Sequence, residues 1–488
     1  MKTSSLCLLV LPLALPVFAQ DFSLMASNEL QASHDPEREI DIIEDWLDLD
    51  LYGEAWRFGL RYSSFSPPDP TVSTDGKASE GLSHRFAEFT MGKSRLRVGT
   101  FTKLFGRGMV LRSFENRDLR VDTNLDGLLL EQEEENWTAS LLTGRVENGQ
   151  METGERKRGD RISGLDFDYR LNCHHFGGSA LVMEDGSEFS PQMQSLRAGF
   201  QNETFSLDWE GGRKLRGPGR ENGQGHVLEA SWQSGPFTAF GALKQYENFA
   251  LKTHDGKLMN QPPVLLHDAR ATLLNRHPHE LDPEDEQGIL LDLSASTSKG
   301  IFTVSYAESR SLEEGKLDGE FRESFLEWDG TLAALDAPLH LMLDFQQVAA
   351  SDSLARWSLD YYLTLVMDLH ISSEHGNWTF QWEHQHKNSD IVGQYDDEFL
   401  MLEYQDWDGW SLSLYTEFLN WSRDQQIWER QEKERTRWTG VQFARHLGKH
   451  HELRLGVGGR RSGYLCVGGV CRYEPAFDGV ELFLLSRF

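Results

Sequence analysis

The feature that constrains this chain most is a two-residue alternation of oily and charged side chains, which recurs along nearly the whole of its 488 residues. Leu359, Tyr361, Leu363, Leu365, Met367, Leu369 and Ile371 form one unbroken apolar row, with Asp360, Tyr362, Thr364, Asp368 and His370 between them. Trp56, Phe58, Leu60 and Tyr62 alternate with Arg57 and Arg61, and Phe205, Leu207 and Trp209 with Asp208 and Glu210. Successive side chains of a strand point to opposite sides, so the pattern predicts strands with one greasy and one ionic face. With 39% hydrophobic residues and 44 Gly against only 15 Pro, the chain carries too much apolar surface to remain disordered. Its 48 Lys+Arg against 77 Asp+Glu give a net charge of −29, which excludes a nucleic-acid binder held by phosphate contacts. Only the amino terminus has a long apolar run, so a bundle of membrane helices is excluded as well.

A soluble β-sandwich alternates too, and the rhythm of the connections separates the two cases. Short turns at Gly92-Lys93-Ser94, Asn202-Glu203, Gln233 to Pro236, Ser298-Lys299-Gly300 and Asp406 to Gly409 take turns with long polar loops. Those loops are residues 66–80, 104–124, 147–160, 215–224, 250–286 and 422–435. Transmembrane barrels have this asymmetry, with short periplasmic turns and long extracellular loops. Segment counting gives twenty-four strands, beginning near 22–33, 46–52, 54–65, 81–92 and 94–103 and ending near 436–447, 450–464 and 472–488. The spacing of about twenty residues per strand and connection suits spans of roughly 9 to 11 residues. The expected fold is therefore all-β: one large antiparallel transmembrane barrel of about 24 strands, an even number between 22 and 26 that returns both termini to the periplasm.

Residues 1–19 read as a signal peptide. Lys2 supplies a positive start, Leu6 to Val17 an apolar stretch broken by Pro12 and Pro16, and Val17-Phe18-Ala19 the small residues of a cleavage site after Ala19. Cys7 lies inside the apolar stretch with no lipid-attachment pattern after it. Residues 20–488 are then one exported barrel domain, expected in the cell outer membrane.

The last residues, Val480, Leu482, Leu484, Ser486 and Phe488, make a mostly apolar face ending in an aromatic ring. This resembles the carboxy-terminal signature of Gram-negative outer-membrane barrels, including porins. A second resemblance rests on Gly99-Thr100-Phe101, the run Leu104-Phe105-Gly106-Arg107-Gly108-Met109-Val110-Leu111-Arg112-Ser113-Phe114-Glu115-Asn116-Arg117-Asp118-Leu119, and Asp122 to Gly127, flanked by Phe58 to Tyr62. These residues resemble the shared motif of an uncharacterised family of outer-membrane barrels, over residues 50 to 130. The resemblance implies the fold and leaves the activity open.

If the apolar rows face lipid, the alternate residues face the lumen. Arg57, Arg61, Arg95 and Arg97 then lie inside, joined by Arg454 once the last strands close against the first. Acids dominate the inner rows of the middle of the chain: Asp166, Asp168, Asp208, Glu210, Asp292, Asp344, Asp360, Asp368 and Glu383. Two readings stand side by side. A basic wall facing an acidic wall would set up a field that sorts polar solutes and ions. Alternatively the charges pair with cross-strand neighbours, with Asp48 and Asp50 also inward and a tight turn at Gly53-Glu54 setting Asp50 opposite Arg57.

Loop 104–124 holds Arg107, Arg112, Arg117 and Arg120 with Glu115, Asp118 and Asp122, interleaved with Leu104, Phe105, Met109, Val110, Leu111 and Phe114. So apolar a loop either folds into the lumen, where its charges set the narrowest point, or is a strand extension with Gly106 and Gly108 marking a bulge. Loop 250–286, with Pro262-Pro263 and the acidic run Asp282 to Glu286, reads as a solvated surface loop in preference to a plug built on a short helix within Val264 to Leu274. Cys466-Val467-Gly468-Gly469-Val470-Cys471 reads as a two-residue hairpin in which Cys466 and Cys471 oppose each other within disulfide range. Cys173 is left single in Asn172-Cys173-His174-His175, where three adjacent soft ligands without spaced partners do not make a metal site. His384 and His386 share one strand face with Trp378, Phe380 and Trp382 and read as the polar end of an aromatic girdle.

Nucleophile elbows, zinc-protease motifs and phosphate loops are absent from the sequence, so no catalytic residue, cofactor or metal is expected. The expected function is porin-like passive passage of polar solutes or ions, leaning toward cations. The alternative is a barrel closed by its loops that serves as scaffold or receptor in a surface or export assembly; an adhesin with ligand-binding loops is a third. The expected surroundings are outer-membrane lipid and lipopolysaccharide, with small polar solutes as cargo.

Overall fold

A computed structural model describes residues 22–69, 78–147, 158–186, 189–215, 222–265, 271–276, 282–312, 320–351, 357–389, 393–421, 436–467 and 470–488. The leader, most of loops 147–160 and 422–435, and Gly468-Gly469 lie outside the described residues. One sheet of twenty-four strands accounts for nearly all of the rest. Its first eight strands are Ser23–Asp35 (β1), Ile40–Tyr52 (β2), Trp56–Phe65 (β3), Ser79–Met91 (β4), Ser94–Phe101 (β5), Leu125–Glu133 (β6), Trp137–Glu147 (β7) and Arg158–Leu171 (β8). The next eight are His174–Glu184 (β9), Gln192–Gln201 (β10), Phe205–Leu215 (β11), Gly223–Ser234 (β12), Phe237–Glu247 (β13), Asp285–Thr297 (β14), Gly300–Arg310 (β15) and Phe321–Leu332 (β16). The last are Ala337–Ser351 (β17), Trp357–Ser372 (β18), Gly376–Ser389 (β19), Gly393–Asp406 (β20), Trp410–Trp421 (β21), Arg437–Leu447 (β22), His451–Arg460 (β23) and Phe477–Arg487 (β24).

Every strand pairs antiparallel with its neighbours in sequence, and β1 pairs with β24 from Ser27↔Arg487 to His34↔Val480, which closes the sheet. The fold is a closed antiparallel barrel. Its weakest sequence segment, the first, is the one that completes the ring. The last two strands are shorter than the sequence suggests: β23 ends at Arg460, and Gly463–Val467 with Val470–Glu474 form a separate two-stranded hairpin above the wall. In that hairpin Cys466 pairs in register with Cys471, and Cys471 is disulfide-bonded.

The alternation sorts as expected. Leu363 and Leu365 are 47% and 37% exposed on the outside of the wall, while Tyr362 and Thr364 between them are buried on the inside. These leucines are therefore not buried between two stacked sheets. Aromatic rings cluster outside near the short-turn rim: Trp378 meets Tyr404 at 4.7 Å between centroids, Tyr404 meets Trp410 at 5.3 Å, and Trp56 meets Phe58 at 5.0 Å. One register differs from expectation. Gly53 donates to the Trp56 carbonyl across the turn, so Tyr52 opposes Arg57 and Asp50 opposes Gly59, though the diagonal Arg57–Asp50 pair still forms at 3.0 Å.

Leu141 stands outside near mid-height on β7, 55% exposed, and Thr138 stands exposed on the inner face of the same strand. In lipid vesicles Leu141→Arg is expected to destabilise the folded barrel by about 2–4 kcal/mol and Thr138→Arg by under ~1 kcal/mol. Equilibrium denaturant titrations read by tryptophan fluorescence check this, and equal costs on the two faces would contradict the assignment of sides.

Candidate functional site

The candidate site is the lumen and what fills it. β5 and β6, at 8 and 9 residues, are the shortest strands of the wall, so the chain between them leaves the wall early and turns inward. Within it Leu104–Phe105 pairs with Leu111–Arg112 and Glu115–Asn116 with Val121–Asp122. Both sequence readings of this loop are thus partly met: it folds into the lumen, and it carries short ladders of its own. Gly106 and Gly108 sit at the tip with φ of 54° and 85°, and a Cβ on Gly108 would lie 2.4 Å from the Gln261 carbonyl oxygen. Met109, Val110 and Leu111, beyond the tip, are fully buried.

What buries them is the second loop, which corrects the expectation of a solvated 250–286. Arg112 donates its backbone N–H to the Met259 carbonyl at 2.8 Å, and Gln261 donates to the Gly108 carbonyl at 3.1 Å. The Asn260 side chain, wholly buried, donates to the carbonyls of Met109 (3.1 Å) and Phe249 (3.0 Å) and accepts the Leu251 N–H at 2.6 Å. Phe105, Met109, Leu111, Phe249 and Met259 then pack with Leu129, Leu142, Ile162, Leu181, Met183 and Met193 of the inner wall in one apolar cluster. Gly212 and Gly225 make room for the Phe249 ring, since a Cβ on either would lie 2.7 Å from it.

The same loop continues across the lumen. Thr272 and Leu273 donate backbone N–H groups to Glu383 on β19 at 2.8 and 2.7 Å, and Ala271 and Leu274 pack on Val366. The alternative reading put a short helix within Val264 to Leu274; among the described residues this stretch has one 3-10 turn, Leu274–Arg276. Arg276 ends the crossing by donating to Glu417 at 2.5 Å and to the carbonyls of Ser462 (2.9 Å) and Arg461 (3.2 Å).

Charges tie loop 102–124 to opposite sides of the wall. Arg107 pairs with Glu229 and lies 3.8 Å from Asp208, and its backbone N–H donates to Glu210 at 2.9 Å. Glu210 is the sixth of the eleven residues of β11, which puts the contact at mid-height. On the other side Arg117 pairs with Glu29 and with Asp48 (3.1 Å), and Arg120 pairs with Glu44. Arg61 bridges Asp48 at 2.5 Å and Glu115 at 2.6 Å. Asp122, in the loop, is pushed up by burial, yet the hydrogen bond and charge of His84 (3.3 Å) and the Asn124 N–H hold its carboxyl below the usual range. The loop therefore spans from β1–β3 to β11–β12.

Arg57, Arg61, Arg95, Arg97 and Arg454 stand on the inner face, but they do not form a basic wall. Arg95 pairs with Glu131, Arg97 lies 3.4 Å from Glu88 and over the Phe86 ring, and Arg454 pairs with Glu452 at 2.7 Å. Local pairing prevails there over a segregated field. Arg112 lies over the Phe114 ring. Asp166 and Asp168 share Arg197, with 2.8 Å from Asp166, and Asp292 accepts from Ser305 at 2.5 Å. Asp360 pairs with Lys387 at 2.6 Å, and Asp368 faces His370 at 3.4 Å. Asp344 is wholly buried, and neither of its carboxylate oxygens has a hydrogen-bond partner among the described residues.

The residues missed from sequence are those that need the third dimension: Glu29, Glu44, Asn260, Arg276, Asp397, Glu417 and Arg461. Asp397 shares its inner row with the buried Tyr395 and Phe399, and no alternation marks it in the sequence because its outward neighbours Asp396 and Glu398 are acids as well. His174 and His175 point to opposite faces, His174 against Phe200 outside and His175 toward Asp208 inside at 3.2 Å, so they cannot share an ion. Cys173 is free. His384 and His386 sit outside with Glu398 (2.8 Å) and Asp396 (2.7 Å). Among the described residues the one acid–histidine group compact enough for a metal is Glu327, Asp329 and His340, whose mutual hydrogen bonding accounts for it.

The geometry defines a class: a closed antiparallel β-barrel whose lumen is crossed by two loops from its long-loop rim. The sequence places the chain in a family. The model of the family of unknown function DUF6029 matches residues 19–305 and 363–488, and the chain belongs to that family. No curated protein matches it in sequence. Among solved structures it is similar to the P pilus usher PapC translocation pore, at 11% identity and a TM-score of 0.47 over 96% of this chain and 98% of that one. It is similar also to the siderophore receptor PirA from Pseudomonas aeruginosa, at 10% identity and a TM-score of 0.45 over 96% and 81%. A third is OccD3 (OpdP) from Pseudomonas aeruginosa, at 13% identity and a TM-score of 0.41 over 71% and 90%. Likeness at this distance carries no function across.

Asn260→Ala would strip three hydrogen bonds from buried backbone groups, each worth about 1–3 kcal/mol when left unmade. The expected outcome is faster limited proteolysis within 102–124 and 248–265 with the wall intact; unchanged protection of both loops would show that Asn260 does not join them.

Proposed function

We propose that this protein is an outer-membrane, porin-like channel that passes small polar solutes or ions, leaning toward cations, after export directed by its amino-terminal leader. The observation that carries the reading is an apolar outer belt wrapped round a charged lumen that loop 102–124 narrows at mid-height. Barrels of 16–18 strands leave an aqueous channel and wider ones carry internal plugs, so 24 strands can hold two loops and still enclose water. The lean toward cations comes from the excess of acids in the chain, 77 Asp+Glu against 48 Lys+Arg. Carboxylates in excess along a low-dielectric wall raise the local concentration of cations.

One observation favours the second reading, a loop-closed barrel acting as scaffold or receptor. The two loops share a buried apolar cluster with the wall and are not merely laid over it. Planar-bilayer recording of the purified protein separates the readings. Steady, cation-preferring steps are expected for the channel, and a folded, inserted barrel that stays silent would favour the scaffold. Arg107→Gln with Arg112→Gln is expected to change conductance or selectivity; if both stay unchanged, loop 102–124 is not the constriction.

A further inference from the structure

On the inner wall of β17–β19 the buried hydrogen-bonding groups do not balance. Among the described residues neither carboxylate oxygen of Asp344 has a hydrogen-bond partner, and the side-chain carbonyl oxygens of Gln346 and Gln385 have none either. The three residues are 0%, 3% and 1% exposed, so water does not reach them to make up the difference. All four orphaned atoms are acceptors. The amide nitrogens of the same glutamines are in use: Gln346 Nε2 donates to Glu323 at 2.8 Å, and Gln385 Nε2 donates to the Thr364 hydroxyl at 3.0 Å and to the Leu273 carbonyl at 3.4 Å. Turning either amide over would set its oxygen against a carboxylate or a carbonyl, so their donors fix where the orphaned oxygens point.

Register brings these groups together. Asp344 opposes Thr364, Thr364 opposes Gln385, and Gln346 is the next inner residue of β17 after Asp344. At about 4.8 Å between strands and about 6.6 Å for two residues along one, the four side chains share one patch of wall. The crossing segment of loop 250–286 runs beside that patch, with Thr272 and Leu273 on Glu383 and with Ala271 and Leu274 on Val366 and Met342. Among the described residues no base pairs with Asp344: Lys387 pairs with Asp360 at 2.6 Å, and Arg276 pairs with Glu417. Buried acceptors left in this state are met by a proton or by a metal cation. A proton on Asp344 adds a single donor, which meets one acceptor and leaves the others bare; a metal ion meets all of them at once.

We propose that Asp344, Gln346, Gln385 and Thr364 hold a calcium ion at the inner wall beside the crossing loop. Asp344 offers two oxygens and the other three residues one each, and water completes the roughly six to eight that calcium takes. Asp344 and Glu323, the latter joined to Gln346, supply two negative charges for the two positive ones. Oxygen donors without sulfur or imidazole select a hard ion. Magnesium demands a strict octahedron and gives up its waters reluctantly, whereas calcium accepts an irregular cage of carboxylate and amide oxygens, the kind a buried patch of side chains offers. The ion adds a fastening for loop 250–286 next to the Glu383 contacts. The site stands on register and burial, and does not depend on whether the barrel conducts.

The full-length barrel, folded in detergent and stripped with EDTA, is dialysed to equilibrium against calcium chloride or magnesium chloride. The expected result is one more calcium ion per chain in the unsubstituted protein than in Asp344→Asn, with magnesium held about tenfold or more weakly. Weak binding by surface carboxylates is common to both chains and cancels in the difference. Calcium is expected to raise the thermal unfolding midpoint and to slow trypsin cleavage after Arg276 in the unsubstituted chain alone. Glu327→Gln, in the acid–histidine group near the short-turn rim, is the control and keeps the ion. Asp344→Asn removes the charge and offers N–H donors to the orphaned oxygens, so it is expected to fold; Gln346→Met, which removes one ligand oxygen, is expected to weaken calcium about tenfold as an independent check. Equal calcium stoichiometry in the unsubstituted and Asp344→Asn chains, magnesium held as tightly as calcium, or an unfolding midpoint that calcium does not move would each overturn the proposal. An unmoved midpoint together with an Asp344→Asn chain at least as stable as its parent would show instead that Asp344 carries a proton.

Discussion

Backbone hydrogen bonding is the constraint on which the rest of this molecule depends. A sheet whose outer surface is oily cannot leave an unpaired edge beside that surface, because each bare N–H or C=O would go unsatisfied. The pairing of β1 with β24 joins the two edges of the sheet. Once the ring is closed, the alternation has a single consistent meaning on every strand, oily outward and polar inward. A ring of this many strands encloses more volume than its own side chains can fill. The two inward loops answer that volume.

Those loops are held by two kinds of contact. Between β5 and β13 the attachment is apolar, with Phe105, Met109, Phe249 and Met259 against the wall and Asn260 linking the two loops. From β19 to β21 it is polar, with two backbone N–H groups on Glu383 and the Arg276–Glu417–Arg461 network, beside a small apolar contact on Val366 of β18. Breaking one partner of such a buried network strands the other, at a cost of about 3–5 kcal/mol. Loop 102–124 adds arginines reaching both β1–β3 and β11–β12. The lumen is organised as a braced interior rather than as an open pipe with charges painted on it.

Most of the wall was legible because alternation is a local signal that neighbouring strands repeat. Leu359 to Ile371 could be read without knowing what lay beside them. Ser23–Asp35 was hardest, since its sequence has no continuous apolar row and its place is set by its partner β24. Registers were less legible: the turn centres one residue further along, on Glu54-Ala55, which sets Asp50 opposite Gly59 and leaves it diagonal to Arg57. Loop 104–124 announced that it was too apolar for solvent but not what would cover it. Loop 250–286 concealed itself, because Pro262-Pro263 and the acidic run at Asp282 outweigh the scattered Phe249, Leu251, Met259, Leu265 and Leu273 that are in fact buried. Rows that run across strands, such as Asp344, Thr364 and Gln385, emerge only when the register is known.

The link between Asn260 and the Met109 carbonyl joins residues 151 positions apart. A contact of such long sequence separation forms late, because the intervening chain must first be ordered. The apolar tip made by Met109 to Leu111 consequently has no cover while the first eight strands zip together, and acquires it only when the segment after β13 arrives. Until then the half-built cylinder exposes a sticky inner surface. The interior thus matures in the second half of assembly, and a chain interrupted before residue 250 would have strands able to pair and nothing to settle its core.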